Sequence, residues 1–270
     1  GVATGTRPPV QAAAAEGRGV LPVFVADPAF AHAGEPRRAF LHDCLLSLDA
    51  SIRERNGIGL IVRTGDPVTA IVNLAGEVGA GDVVVARDFA PYGRQRDAAV
   101  AAALADTGRR LRGVGSPYAA APGTVRKADG NPYAVFTPYS RAWRRAGWPL
   151  PLPNERLGEV SWWSGAVRSD PLGPRPDSGP VLPPAGERAA RDRWEEFRRE
   201  LLAEYPEGRD EPAQAATSRL SPALKFGTIH PRQLLADLDA SGDGDAAHTK
   251  FTAELAWREF AADVLFHHPA

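Results

Sequence analysis

Three short segments of the chain combine residue types that could do chemistry. The first is Thr217-Ser218-Arg219-Leu220-Ser221-Pro222, where three hydroxyls and a guanidinium fall within five residues, just ahead of a helix start at Pro222. Helix-start N–H groups, hydroxyls and an arginine together suit an anion such as a pyrophosphate. The same residues also suit an ordinary capped helix, because Ser and Thr are preferred caps. The second segment runs from Phe251 to Phe260. On a helix, Glu254, Trp257, Arg258 and Ala261 share one face by i+3 and i+4 spacing. An indole beside a carboxylate and a guanidinium can stack a flat base and anchor its phosphate. A core Trp next to a salt bridge gives the same letters. The third is Asp88-Phe89-Ala90-Pro91-Tyr92-Gly93-Arg94-Gln95-Arg96-Asp97, at a strand-to-helix turn where Tyr92 could stack on a flat cofactor. It also reads as a plain turn built on Pro and Gly.

Other chemistries lack their residues. No G-x-G-x-x-G occurs, and Gly113-Val114-Gly115 has no third glycine. No phosphate-binding G-x-x-x-x-G-K-[ST] and no G-x-S-x-G nucleophile elbow occurs. The six His are scattered, and the adjacent His267 and His268 point about 100° apart on a helix, which argues against a metal site. Cys44, the one cysteine, falls in an apolar helical stripe and reads as structural.

The elements that must position these segments follow from periodicity. Residues 11–17 suit a short helix. Short apolar runs at 20–26, 60–62, 82–86 and 110–114 read as strands buried on both faces. Between them, 35–56, 66–78 and 94–106 read as helices. The first carries Phe40, Leu41, Leu45, Leu48 and Ile52 on one stripe and stops at Gly57; the second opens on Asp66-Pro67. This alternation predicts an α/β domain with a doubly wound parallel sheet of the Rossmann-like kind, its ligands beyond the carboxyl ends of the strands. Residues 116–138 read as loop and 138–146 as a helix. Nine prolines between 148 and 184 mark a long connector. Helices are expected at 187–205, 231–239 and 245–267, with no strand among them. The expected domains are an α/β domain over 1–125, a Pro-rich linker over 126–186 and the beginning of an all-α domain over 187–270.

Composition narrows the classes. The 270 residues carry 32 Lys plus Arg against 33 Asp plus Glu, a net charge of −1. That excludes a uniformly basic DNA coat but not a local basic groove. No apolar run approaches the roughly 18 residues of a membrane span. The single cysteine and the lack of a secretory leader fit a cytoplasmic protein. No Met occurs, even at position 1, so the N-terminal boundary is expected to be artificial or incomplete.

Taken in order, these segments resemble the photolyase/cryptochrome family, and within it the bacterial DNA photolyases. Ser116-Pro117-Tyr118 with Pro122-Gly123-Thr124-Val125-Arg126-Lys127 is similar to the family's loop after its last strand. Residues 133–143, Tyr-Ala-Val-Phe-Thr-Pro-Tyr-Ser-Arg-Ala-Trp, resemble its Y-x-V-F-T-P-F-x-x-A-W segment. Tyr205, Arg209-Asp210 and Thr217 to Ser221 resemble its first flavin-binding stretch, and residues 254–260 its signature helix. The resemblance implies light-driven repair of cyclobutane pyrimidine dimers in UV-damaged DNA by electron transfer from reduced FAD. It implies Glu254 and Trp257 as catalytic residues facing the dimer. Tyr205, Thr217, Ser218, Arg219, Leu220, Ser221, Phe251 and Arg258 would hold FAD. Arg209, with Glu254, Trp257 and Arg258, would touch DNA. Asp88, Tyr92 and Lys225 would serve an antenna chromophore. Tyr92-Gly93 stands where folate-binding members have Asn-Glu, so 8-hydroxy-5-deazaflavin is expected in preference to methenyltetrahydrofolate. The resemblance also implies a monomer.

Two departures from the family's pattern bear on activity. Gly1 to Arg7 lacks the family's opening apolar strand, which lies centrally in the order 3-2-1-4-5, so the strands beside it should be left unpaired. The chain also ends just after the signature helix. A chain truncated at both ends is therefore expected, one that does not hold FAD tightly by itself. A blue-light receptor without repair and an inactive remnant are the alternatives.

Overall fold

The computed structural model describes residues 8–15, 19–151, 160–240 and 246–269. Expectations for residues 1–7, for 16–18 of the first helix, for 152–159 of the connector and for position 245 lie outside the described residues.

The N-terminal half alternates as its periodicity predicts. Helix α1 (Pro8–Ala14) precedes strand β1 (Val23–Ala26), followed by α2 (Glu35–Asn56), β2 (Ile61–Thr64), α3 (Pro67–Glu77), β3 (Asp82–Val85), α4 (Pro91–Ala105) and β4 (Arg110–Gly113). The stripe on α2 buries Phe40, Leu45 and Ile52, and Cys44 lies among them, fully buried. Burial pushes the Cys44 thiol up to about 11, so it stays protonated. Gly57 ends α2 at φ +74°, a left-handed conformation that glycine adopts without a Cβ clash. Asp66 caps α3 by accepting a hydrogen bond from Thr69 N at 2.9 Å.

The single sheet expected is divided in two, and the expected unpaired strand edges are present among the described residues. Parallel pairs form between β1 and β2 and between β3 and β4, but they are separate two-stranded sheets rather than one continuous sheet. Among the described residues, no strand pairs with the second edge of β1 or of β3. Every residue of both strands is only half-buried, although all but Asp82 are apolar. A strand flanked on both sides in a parallel sheet is normally closed off from water. The outer edge of β2 is covered by the connector. Ser169 Oγ accepts from Val62 N at 3.0 Å, Asp170 N donates to Val62 O at 2.9 Å, and the Asp170 carboxylate accepts from Thr64 N at 2.9 Å. The expected strand over 20–26 shortens to Val23–Ala26, because Val20 instead forms a parallel bridge with Trp162 of the connector. The Pro-rich stretch therefore protects a sheet edge rather than hanging free.

The C-terminal half is helical. It comprises α5 (Phe136–Ala146), α6 (Glu187–Glu196), α7 (Tyr205–Gly208), α8 (Ser221–Phe226), α9 (Pro231–Ala240) and α10 (Ala246–His267). Residues 187–205 do not form the single helix their periodicity suggested. A wide turn over Phe197–Leu201 follows α6, with Leu202 N bonded to Phe197 O at 2.8 Å. The extra residue lets Phe197, Leu202 and Tyr205 all face the core, which an unbroken 3.6-residue repeat would not. The largest core cluster lies here, built on Tyr139, Trp143, Trp194, Phe197, Leu235 and Leu255. Although α5 falls within the stretch expected to be linker, its Tyr139 and Trp143 belong to that cluster. Among the described residues, the α/β half shows two small clusters.

In one of these, Leu104 of α4 is fully buried against Ala75 and Val100. Leu104→Ala should lower unfolding stability by roughly 2–5 kcal/mol. Urea unfolding checks this, and a loss near zero would mean the small α/β core contributes nothing to cooperative folding.

Candidate active site on helix α10

Helix α10 is amphipathic in three directions. Phe251, Leu255 and Ala256 enter the helical core. Trp257 faces outward at 46% exposure. Glu259 and Asp263, at i and i+4, are buried at 1% exposure each.

The outward side holds the residues with reactive potential. The Arg209 guanidinium, just past α7, is ion-paired with the Glu254 carboxylate. That hydrogen bond holds Arg209 above its ordinary range. Arg209 also lies over the Tyr205 ring, 5.8 Å from its centre, and burial raises the Tyr205 phenol. One turn along, the Trp257 indole stacks on Phe136 of α5 with ring centres 3.7 Å apart and planes 8° apart. An aromatic face and a carboxylate held by a guanidinium thus stand together on one partly exposed surface. Such a set can stack a flat ring, accept hydrogen bonds from it and attract an anion beside it.

Arg258 does not share that surface. It is turned inward, donating to Pro117 O at 3.3 Å and to Leu224 O at 3.2 Å, with its guanidinium 4.7 Å from the centre of the Tyr118 ring. Position 258 lies about 40° around the helix from 254, toward Leu255, so a long side chain reaches the interior. Tyr205 and Phe251 are also buried, packed edge to face with each other and around Phe197. They form a wall rather than an open ring face.

The hydroxyl segment is anchored from behind. Arg193 of α6 donates to Thr217 O at 2.8 Å and to Ser218 O at 2.9 Å. Arg219 adopts φ +53°, left-handed backbone that is uncommon outside glycine. Leu220 is buried. The side chains of Thr217, Arg219 and Ser221 are exposed, with no hydrogen-bond or ion-pair partner among the described residues. The capping expectation does not hold. Leu220 is the cap residue of α8, no side chain caps the helix, and Ser218 Oγ accepts from Leu220 N at 3.4 Å outside it. The hydroxyls are therefore available to a ligand. α8 is tied back to α10 by the bond from Arg258 to Leu224 O.

The antenna candidates are partly occupied. Tyr92 donates its hydroxyl to Asp27 and packs edge-on against Phe30. Asp88 accepts from Ala90 N at 3.0 Å and lies 3.6 Å from Arg96. Gly93 permits this turn, since a Cβ there would lie 2.1 Å from the Asp88 carboxylate. Lys225 is exposed on α8. Among the described residues, no group of three His, Cys, Asp or Glu could hold a metal ion.

Sequence reasoning gave no separate role to Phe136, Trp143, Arg193, Glu259 or Asp263. For the two carboxylates a signal existed: acidic residues at i and i+4 on the flank of an apolar seam need buried partners. Their partners lie in the loop between β4 and α5 and, for Glu259, also on α5. Glu259 accepts from Ala119 N, from Ala120 N at 3.0 Å and from Trp143 Nε1 at 2.6 Å. Asp263 accepts from Gly123 N at 2.6 Å. Burial raises the Glu259 carboxyl, while these donors pull it back down.

The family model described as DNA photolyase matches residues 7–156. A deoxyribodipyrimidine photo-lyase of Streptomyces griseus is 38% identical over 97% of this chain and 58% of its own length. One from a Synechococcus strain is 34% identical over 96% of this chain and 57% of its own. The crystal structure of a bacterial class III photolyase from Agrobacterium tumefaciens matches with a TM-score of 0.89 and 29% identity, covering 99% of this chain and 57% of that one. The chain thus spans a little over half the length of each of these three proteins.

A pH test follows from the loop's other anchor. His230 Nδ1 accepts from Arg232 N at 3.2 Å, so Nε2 carries the proton and donates to Ser116 O at 2.8 Å. Burial lowers the His230 pKa to about 4. A lowered base contributes stability that is present above the unfolded value of about 6.5 and is lost as pH falls toward 4. Unfolding free energy should fall below pH 6.5 with a slope approaching about 1.4 kcal/mol per pH unit from this one group. His230→Gln should remove that part of the slope. An unchanged slope in the variant would show that His230 titrates freely.

Proposed function

The chain belongs to the DNA photolyase family, and from that premise we propose that it carries part of the machinery for light-driven repair of cyclobutane pyrimidine dimers in UV-damaged DNA. The observation that carries this reading is the pairing of Glu254 with Arg209 beside the exposed indole of Trp257. A pyrimidine dimer turned out of a duplex offers flat apolar faces, N–H donors and flanking phosphates. Trp257, held by Phe136, gives an apolar wall for the dimer. Glu254 accepts hydrogen bonds from its base edge. Arg209, ion-paired with Glu254, orients its carboxylate and attracts a flanking phosphate. In this proposal Glu254 and Trp257 are the catalytic residues, and Arg209 is the DNA contact.

FAD is the cofactor of this reading, and the donor set fits its pyrophosphate. The exposed Thr217, Arg219 and Ser221 side chains, on a loop fixed by Arg193, would hold it together with Ser218. Tyr205 would border the ring system, with Phe251 behind it in the aromatic core. Reduced FAD, when bound, supplies the light-excited electron that opens the dimer. The buried site of Arg258 fits a bracing role between α8 and the loop rather than direct contact with DNA. Tyr92, with 40% of its surface exposed, leaves room for a second chromophore near Asp88, and Tyr92-Gly93 favours 8-hydroxy-5-deazaflavin over methenyltetrahydrofolate. Lys225 would be the basic contact for it. The same reading places the protein in the cytoplasm as a monomer. No helix among the described residues is long and apolar enough to cross a membrane.

The absorption spectrum of the purified chain, before and after incubation with FAD, tests this first. Flavin bands that appear on incubation and fade on desalting are expected, because the chain is expected to hold FAD only weakly, with dimer loss from an oligonucleotide under blue light read in excess FAD. Glu254→Gln should weaken dimer recognition by roughly tenfold or more, since a charge-assisted hydrogen bond is worth about 1.5–3 kcal/mol. A protein band alone after FAD incubation, with no repair, would place the chain among inactive members of the family. Flavin binding with a light response but no repair would favour the receptor reading.

A further inference from the structure

Glu259 and Asp263 are the most completely buried carboxylates among the described residues, and the repair reading leaves both without a role. Both carboxylates point into the loop that leaves β4. Arg258, their neighbour, grips the same loop from its carbonyl side at Pro117 O. The loop is also held from α9, where Arg232 Nε donates to Ala119 O at 3.0 Å and His230 bonds to Ser116 O. Apolar packing of Phe251, Leu255 and Ala256 holds α10 against the core, but that attraction is non-directional and tolerates small rotations and slides. Hydrogen bonds from a carboxylate to fixed backbone N–H groups do not.

We propose that Glu259 is a positioning residue that sets the rotation and register of α10, and with them how Glu254 and Trp257 are presented. One pair of helices, α5 and α10, connects Glu259 to Trp257. Glu259 bonds to Trp143 of α5 at 2.6 Å, and Trp257 stacks on Phe136 of the same α5 at 3.7 Å. Five residues separate Glu254 from Glu259, about 7.5 Å along the helix. A change in the Glu259 contacts is therefore passed to both residues by a rigid element. Asp263, one turn further, repeats the contact at Gly123 and fixes the tilt. Ala119 N, Ala120 N and the Trp143 indole are all donors, so the side chain must offer two acceptor oxygens. Gln offers one. The functional consequence rests on the repair reading, whereas the clamp rests on the contacts alone.

The test reads Trp257 directly. Iodide quenching of tryptophan emission is measured on the chain and on Trp257→Phe, and the difference isolates the Trp257 signal. The measurement is repeated in Glu259→Gln, with Leu265→Ala on the exposed side of α10 as control. A shifted Trp257 quenching constant is expected in Glu259→Gln, with helix content kept and the control unchanged. An unshifted constant in the folded variant would overturn the proposal. If Glu259→Gln does not fold, hydrogen exchange of the unaltered chain in rising urea decides. The Ala119, Ala120 and Gly123 amides should open together with those of 254–257, and separate openings would overturn the clamp. A binding arm compares dimer-containing with undamaged oligonucleotide. Glu259→Gln should lose the preference for the dimer while keeping its affinity for undamaged DNA. Absence of any preference in the unaltered chain would sink the repair reading alone, and the quenching result would still decide on Glu259.

Discussion

The structure depends on how one buried, irregular loop satisfies its backbone. Residues 116–123 leave β4 and run into the interior with neither helix nor strand to pair their amides. Ser116 and Ala119 are buried there, and unpaired buried backbone groups cost about 1–3 kcal/mol each. Side chains from two later helices take the place of a ladder. Glu259 and Asp263 accept from three of the loop's N–H groups, and Arg258, Arg232 and His230 serve its carbonyls. The charges are buried, so the arrangement is costly unless every partner is present. One oxygen of Asp263 lacks a hydrogen-bond partner, with His267 Nδ1 3.4 Å away as the nearest basic group. Removing either side of these contacts would strand a buried charge or a buried amide.

This joint ties the α/β half to the helical half. Phe89 packs edge-on to Tyr118 and to Phe266, and Arg94 lies 4.6 Å over the Phe266 ring while donating to its carbonyl. The turn after β3, the loop after β4 and the end of α10 therefore meet at one place. Carboxyl ends of parallel strands are where an α/β sheet exposes its connecting loops. Here those loops receive a helix as well as facing solvent. The candidate active surface on α10 is thus positioned by contacts made a turn or more away from it.

The two halves differ in how well they are closed. The helical half buries large aromatic side chains completely, Trp143, Trp194, Tyr139 and Phe197 among them. The α/β half carries two separate parallel pairs in which β1 and β3 are only half-covered. The apolar character of Val23 to Ala26 and of Val83 to Val85 is that of strands with neighbours on both sides. Lacking those neighbours among the described residues, they keep their pattern and lose their burial. The stability of this half rests on α2, on the α3–α4 layer and on the connector along β2.

The sequence by itself determined the order and kind of elements. Short apolar runs, period-3.6 patterns, Asp66 as a cap and Gly57 as a stop are local, and local geometry reproduced them. The resemblance carried by residues 116–127, 133–143, 205–221 and 254–260 was also legible, because it rests on letters in order. Tertiary structure decided the rest, since it depends on partners far along the chain. The helical wheel grouped Arg258 with Glu254, yet contacts at Pro117 and Leu224 draw Arg258 inward. The wheel could not show that Glu259 meets an indole 116 residues earlier. It could not show that Phe136 is the stacking partner of Trp257. Neither could periodicity reveal the break at Phe197, which the core imposes by demanding Leu202 instead of its neighbour. Burial and hydrogen bonding are properties of pairs, and a sequence states only one member of each pair at a time.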